Sequence, residues 1–350
     1  MQSDQVSPPD HPSARVAVVV RTKDRPQFLG RALANIDQQT FTDYHVVVVN
    51  DAGDPEPVDA VLAQAPAGIQ RRTTVLHRST STGMEAAANA GLLASDSEFC
   101  CIHDDDLWEP EFLARTVGFL DAHPETEMVV VRIQIRFEEE VEGTFVETGR
   151  KDFWTHLPTI TIQELVWVNR MVPIGVLYRR RLHEEVGLYN EALPVVGDWD
   201  FNLRVAARHP IGIVDERLAL WCQRPSASGA SANSINAPLM HAKYDMEVRA
   251  AAIRDEISRG GSLGPYLFGA FLAAELVEHG ERARAEMARH FDDLRQDITR
   301  QIDARFDQLT GDLHSRMDEL ERYVANRTNP LYLVKRGFAM IFRGGPPPEK

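Results

Sequence analysis

Three consecutive carboxylates, Asp104, Asp105 and Asp106, follow directly on the apolar run EFCCIH. Like charges at contact distance raise one another's pKa, so such a triplet at the end of a buried strand is costly unless something positive sits among it. A divalent cation meets that need. Only oxygen donors are in view, which favours Mg²⁺ or Mn²⁺ over zinc, and Mg²⁺ is usually held by one or two carboxylates together with substrate phosphates. A helix N-cap would account for one or two of these acids without any metal, because LWEPEFL opens a helix immediately after them.

The charge balance bears on the same point. Thirty-eight basic and 52 acidic residues leave a net charge of −14, which repels a phosphate backbone, so nucleic acid is not an expected partner. An anionic substrate needs a cation or a few placed arginines, and a bound cation would let this acidic chain hold a diphosphate. The chain has no GxGxxG after its first strand, no GxxxxGK[ST], no GxSxG and no CxxC, which removes support for dinucleotide, P-loop, serine-hydrolase and zinc-ribbon chemistry. Cys100, Cys101 and Cys222 form no disulfide framework and read as buried thiols. Without a signal-peptide pattern or a run of eighteen apolar residues, a cytoplasmic protein is expected, peripheral to the inner face of a membrane at most.

The elements that must position these residues alternate strand and helix. VAVVV, ending at Val20, and HVVVVN, ending at Asn50, are short β-branched runs of the kind buried on both faces, and the segment between them places Phe28, Leu29, Ala32, Leu33 and Ile36 on one helical face. TTVLH, a helix from about Met84 to Leu93, and EFCCIH continue the pattern. The expected architecture is α/β, a mostly parallel sheet flanked by helices. Polar residues collect at the carboxyl ends of the strands, at 21–25, 50–54, 77–79 and 103–106, the edge where open α/β sheets bind ligands. Residues 144 to 170 are mixed, and GIVDERLALWCQR supplies a final strand. Trp108 reads as core.

Five blocks in this order resemble family 2 glycosyltransferases of the GT-A fold: VAVVVRTKDRPQFLGRALANIDQQTFTDYHVVVVNDAGD, HRSTSTGMEAAANAGL, FCCIHDDDLWEPEFL, GDWDFNLR and WCQRPSASGAS. The resemblance runs with gaps from about Val16 to Ser231. It implies a sugar transferase using a nucleotide diphosphate-sugar donor, a Mn²⁺ or Mg²⁺ cofactor, and a glycan or glycolipid acceptor. By position, Arg21, Thr22 and Arg25 approach the nucleotide, and Asp51 accepts the base N–H. Arg78, Gly83 and Asn89 line the nucleotide and sugar, and Asp104 shares in donor binding. Asp104, Asp105 and Asp106 hold the metal, with the direct ligand among them left open, since many relatives carry an acid where this chain has His103. Asp198 matches the general base and Asp200 is its alternative, while Trp199 and Asp200 lie on the acceptor side. Gly197 stands where the family usually has Glu. Arg224 is a candidate phosphate contact. The resemblance further implies an inverting reaction, and surface polysaccharide or glycolipid assembly as its setting. A non-catalytic nucleotide-sugar-binding scaffold that recruits partners through its tail is the alternative.

Four segments are expected: a disordered tail over 1–14, the GT-A domain over 15–265, a helical stalk over 266–328 and an amphipathic basic segment with a flexible end over 329–350. In the stalk, Met287, Ile298, Leu309 and Leu320 are spaced by eleven, as are Phe291, Ile302, Leu313 and Val324. That period, 3.67 residues per turn, predicts a straight or slightly right-handed coiled-coil seam. Self-association is the simplest use of it, packing back on the catalytic domain the other. LYLVKRGFAMIFR combines apolar residues with Lys335, Arg336 and Arg343, which suits either an anionic membrane surface or docking on its own protein.

Overall fold

The computed structural model describes residues 14–328 and 330–343. The expected tail over 1–14, except its last residue, and the end over 344–350 lie outside the described residues. The chain divides after Asp255.

The first unit is built on one nine-stranded mixed sheet. β1 (Val16–Thr22) leads through α1 (Pro26–Ile36) to β2 (Tyr44–Asn50), and α2 (Pro55–Gln64) and α3 (Ala67–Arg71) lead to β3 (Thr73–His77). α4 (Met84–Leu93) precedes β4 (Phe99–Ile102) and the short β5 (Leu107–Trp108). Strands β3, β2, β1 and β4 lie side by side and parallel. The apolar runs of β1, β2 and β4 are buried because helices cover both faces, as parallel strands require, while β3 at the edge is only half-buried. α1 opens with Pro26, whose missing N–H costs nothing in a first turn. α4 packs closely enough that a Cβ on Gly91 would stand 2.5 Å from Val19 Cγ1 and 3.0 Å from Val49 Cγ2.

The other half of the sheet is built differently. α5 (Phe112–Ala122) leads to the long β6 (Met128–Val141), which turns back as β7 (Thr144–Phe153), so part of the stretch that reads as mixed is a hairpin strand. α6 (Ile162–Trp167) leads to β8 (Val176–Arg179), which lies antiparallel between β4 and β6; α7 (Leu182–Val186) and α8 (Gly197–Ala206) precede β9 (Ile211–Gln223). β9 runs parallel to β6 and antiparallel to β5. The three cysteines are buried and unpaired. Trp108 is core, stacked on Phe112 with ring centroids 4.3 Å apart.

α9 (Pro238–Ser258) crosses the division. The second unit contains α10 (Gly264–Thr328), a 65-residue helix, and α11 (Pro330–Arg343). Along α10 the residues spaced by eleven are solvent-exposed, Met287 by 55%, Ile298 by 48%, Leu309 by 56% and Leu320 by 63%. Among the described residues no helix is long and apolar enough to cross a membrane.

Candidate active site

A cleft of about 1300 Å³ opens at the carboxyl edge of the parallel strands. β1 delivers Arg21 and Thr22 to it, the end of β2 delivers Asp51, β4 runs into the three aspartates, and the start of α4 brings Gly83 and Glu85. From the other half of the sheet come Asn169, Asp198 and Trp199. Each strand supplies its polar residues at the step where its apolar run stops, so burial of the sheet itself sets the geometry.

Arg21 is the most connected side chain. Its Nε donates to both Asp104 oxygens at 3.1 Å, its Nη2 donates to Oδ2, its backbone N–H donates to Oδ1 at 3.1 Å, and Nη1 donates to the Met84 carbonyl at 3.2 Å. Asp105 accepts from Arg25 Nη2 at 2.9 Å and from Arg224 Nη2. Burial opposes its ionisation, but these two guanidiniums outweigh that and hold its pKa below the usual value. Asp106 accepts from the Cys222 N–H at 2.7 Å. Burial, then the neighbouring Asp105, pushes its pKa well above the ordinary range. The triplet thus splits into three differently held carboxylates, and among the described residues no three acidic, His or Cys side chains converge as a ready metal centre. The donor chemistry still suits a hard cation. All three aspartates line the cleft, and Asp106 is a half-buried carboxylate beside Asp105 that ionises only at a cost, which a cation would relieve.

Asp51 accepts from Arg78 Nη1 and from Ser81 Oγ at 2.6 Å, which ties the loop after β3 to the end of β2. Thr22 is 7% exposed, and its hydroxyl has no hydrogen-bond partner among the described residues. A buried hydroxyl left unsatisfied at a cleft is a natural ligand contact.

Asp198 lies in the first turn of α8, whose N-cap Val196 has a left-handed φ of 59°, an unfavourable conformation for a β-branched residue and a form of strain that collects at functional sites. Burial raises the Asp198 pKa, and a bond from the Trp199 N–H and one from Asn169 Nδ2 at 2.8 Å to Oδ2 partly offset this. Trp199 is 2% exposed, donates Nε1–H to the Leu165 carbonyl at 2.7 Å, and borders the cleft.

Arg21, Thr22, Arg25, Asp51, Gly83, the three aspartates, Asp198 and Trp199 therefore share one cleft. Arg78, Asn89 and Asp200 are not among its lining residues. Arg78 holds Asp51. Asn89 is buried, bonded through Nδ2 to the Tyr189 carbonyl at 2.9 Å and to Glu191 Oε1 at 2.9 Å. Asp200 is paired with Arg204 Nε at 3.0 Å. Arg224 is 1% exposed, held between Asp105 and Glu138 over the Phe28 ring, so it braces the triplet from behind. His103 is buried against Trp108 and Asn35 outside the cleft lining. Two cleft residues, Glu85 and Asn169, carry no strong sequence signal. Glu85 reads as an ordinary first-turn acid on α4, and its place just after Gly83 at the ligand edge is the only hint.

Such a cleft, at the carboxyl edge of a half-parallel sheet and ringed by aspartates and arginines, lies where open α/β sheets bind ligands, and the sheet has the GT-A fold. The Glycosyl transferase family 2 model matches residues 17–187. The chain is 31% identical to the uncharacterized glycosyltransferase YwdF of Bacillus subtilis over 55% of this chain and 68% of that protein. It is 27% identical to a PGL/p-HBAD biosynthesis glycosyltransferase of Mycobacterium tuberculosis over 54% of this chain and 68% of that one. The crystal structure of S. aureus TarS with UDP-GlcNAc is similar in fold, with a TM-score of 0.50 and 19% identity, covering 63% of this chain and 61% of that chain, less than two thirds of its length. The chain belongs to glycosyltransferase family 2 and is a transferase enzyme.

Proposed function

We propose that the enzyme transfers a sugar from a nucleotide diphosphate donor to an acceptor hydroxyl, inverting the anomeric carbon. The observation that carries this reading is the convergence of Asp198, Arg21 and the three aspartates on one cleft. Asp198 accepts the proton of the acceptor hydroxyl as that oxygen bonds to the anomeric carbon and the bond from that carbon to the diphosphate oxygen breaks. Burial raises its pKa and so brings it closer to the working range of a base. Asp51 and Thr22 bind the nucleotide, Gly83 lets the backbone approach the donor, and Arg21 and Arg25 flank the diphosphate. Arg78 and Asn89 act by holding Asp51 and the segment at Tyr189. Asp106, with which no arginine hydrogen-bonds among the described residues, would hold Mg²⁺ or Mn²⁺, with Asp104 and Asp105 beside it in the grip of their arginines. When bound, the ion stabilises negative charge on the departing diphosphate. Trp199 stands on the acceptor side, with Asp200 next to it in α8 but outside the cleft lining and paired with Arg204, and the mycobacterial relative named for PGL/p-HBAD biosynthesis supports a glycan or glycolipid acceptor.

The test is a thermal-shift panel of nucleotide diphosphates and nucleotide sugars with and without Mn²⁺, since a ligand that binds only the native state raises its stability. A shift from at least one, together with loss of transfer but not of donor binding in Asp198→Asn, is expected. No shift from any of them defeats the reading, and undiminished transfer in Asp198→Asn removes Asp198 as base.

For the C-terminal part we propose a domain division close to 15–265, 266–328 and 329–350. The exposed apolar seam of α10 supports self-association through a coiled coil. Exposed Leu331, Leu333, Val334 and Phe338 beside Lys335 and Arg336 on α11 support peripheral contact with an anionic membrane from the cytoplasmic side. Light scattering of Ile302→Asp, expected to read as monomer, and co-sedimentation with anionic vesicles test the two.

A further inference from the structure

Glu85 is a buried carboxylate that the mechanism above leaves idle. It lies in the first turn of α4 and lines the cleft, yet it is only 4% exposed. Among the described residues its one ion-pair partner is Arg21 Nη1, at 3.6 Å, and that guanidinium is already committed to Asp104 and the Met84 carbonyl. Burying a carboxylate with so weak a partner is unfavourable unless a ligand completes it. The chain also makes room for it. A Cβ on Gly197 would stand 2.6 Å from Glu85 Cγ and closer still to its carboxyl group. Any other residue at 197 would displace Glu85 from its place beside Asp198.

We infer that Glu85 is a specificity-determining residue for the transferred sugar, its carboxylate accepting hydrogen bonds from sugar hydroxyls, with Gly197 as the positioning residue that admits it. The inference rests on the transferase reading of the cleft. Its logic is one of position and charge. The diphosphate end of the cleft is marked by Arg21 and Asp104, the proton-accepting end by Asp198, and Glu85 adjoins both. What must occupy that interval is the neutral, hydroxyl-rich part of the donor. An acceptor-only group there selects a ligand that presents hydroxyl donors, and leaves itself unsatisfied when one is missing.

The experiment titrates the full chain in Mn²⁺ with UDP and GDP, and then with UDP-glucose, UDP-galactose, UDP-GlcNAc and GDP-mannose. Its readout is the ratio of nucleotide-sugar to nucleotide affinity. In Glu85→Gln, nucleotide affinity stays within about twofold, and the ratio for the preferred sugar falls by about tenfold or more, the range for a hydrogen bond to a charged group. Gly197→Ala is expected to show the same selective fall and a lower melting temperature, and the added Glu85→Ala change is expected to restore that temperature. An unchanged ratio in both Glu85→Gln and Gly197→Ala overturns the inference while leaving the transferase reading intact. A wild-type chain that binds no nucleotide at all refutes the transferase site itself. Should Glu85→Gln fail to fold, the deoxy analogues of the preferred sugar decide with wild-type protein. One hydroxyl whose removal costs tenfold upholds the inference, and uniform tolerance of all of them defeats it.

Discussion

Replacing Glu85 with Gln is expected to change how stability depends on pH, and the size of the change follows from its burial. Desolvation pushes the Glu85 carboxyl up from an ordinary 4.5 to about 7, and Arg21 offsets only part of that. A carboxyl whose folded pKa lies above its unfolded value contributes fully to stability only below the unfolded value, and that contribution is lost as pH rises from about 4.5 through about 7. Each pKa unit corresponds to about 1.4 kcal/mol, so across this window the wild-type chain gives up about 3 kcal/mol that a neutral Gln does not. Urea denaturation of the catalytic unit at pH 5 and pH 8 measures it. Glu85→Gln should gain about 2–3 kcal/mol on wild type between the two conditions. The same difference at both pH values would mean that Glu85 is already satisfied inside the protein, and would remove the reason to assign it a ligand. A gain confined to high pH would identify a carboxylate kept at the expense of stability, as functional groups often are.

Asn169→Ala removes a bond to the ionised form of Asp198, so the acid limb of the pH–rate profile should move to higher pH; an unmoved limb would detach that limb from Asp198. Gly91→Ala places a methyl group against Val19 and Val49 and should cost about 1–3 kcal/mol in chemical denaturation. Arg224→Ala leaves the fully buried Glu138 with Arg31 and Arg136 alone and should destabilise by about 3 kcal/mol, measured by melting.

The parallel half of the sheet was legible because a strand buried on both faces must be a continuous apolar run, and VAVVV, HVVVVN and FCCI are such runs. α4 begins and ends at the residues its pattern indicates, Met84 and Leu93. The strand β6 was legible in MVVVRIQIRF, but its partner β7 was not, because β7 is largely exposed and its TFVETGRKDF has no apolar face to mark it. In the site, acids stranded at the ends of apolar runs declared themselves, as Asp51 and the triplet did. Glu85 and Asn169 did not. A first-turn glutamate looks the same in sequence whether solvent or a neighbouring helix faces it, and only the approach of Gly197 from 112 positions away distinguishes the two cases. Arg78, Asn89 and Asp200 show the converse: a motif names the neighbourhood, and the fold decides which side chains reach the cleft.

Glu138 carries a consequence for how the chain assembles. Its carboxylate is fully enclosed by Arg31, 107 residues earlier, by Arg136, and by Arg224, 86 residues later. Contacts of such sequence separation form late and raise the barrier to folding. A nascent chain that has not yet reached Arg224 must leave that charge incompletely paired, and Asp105 with it. The wall behind the aspartate triplet can therefore close only after the last strand of the sheet has been made, which couples acquisition of the site to completion of the catalytic unit.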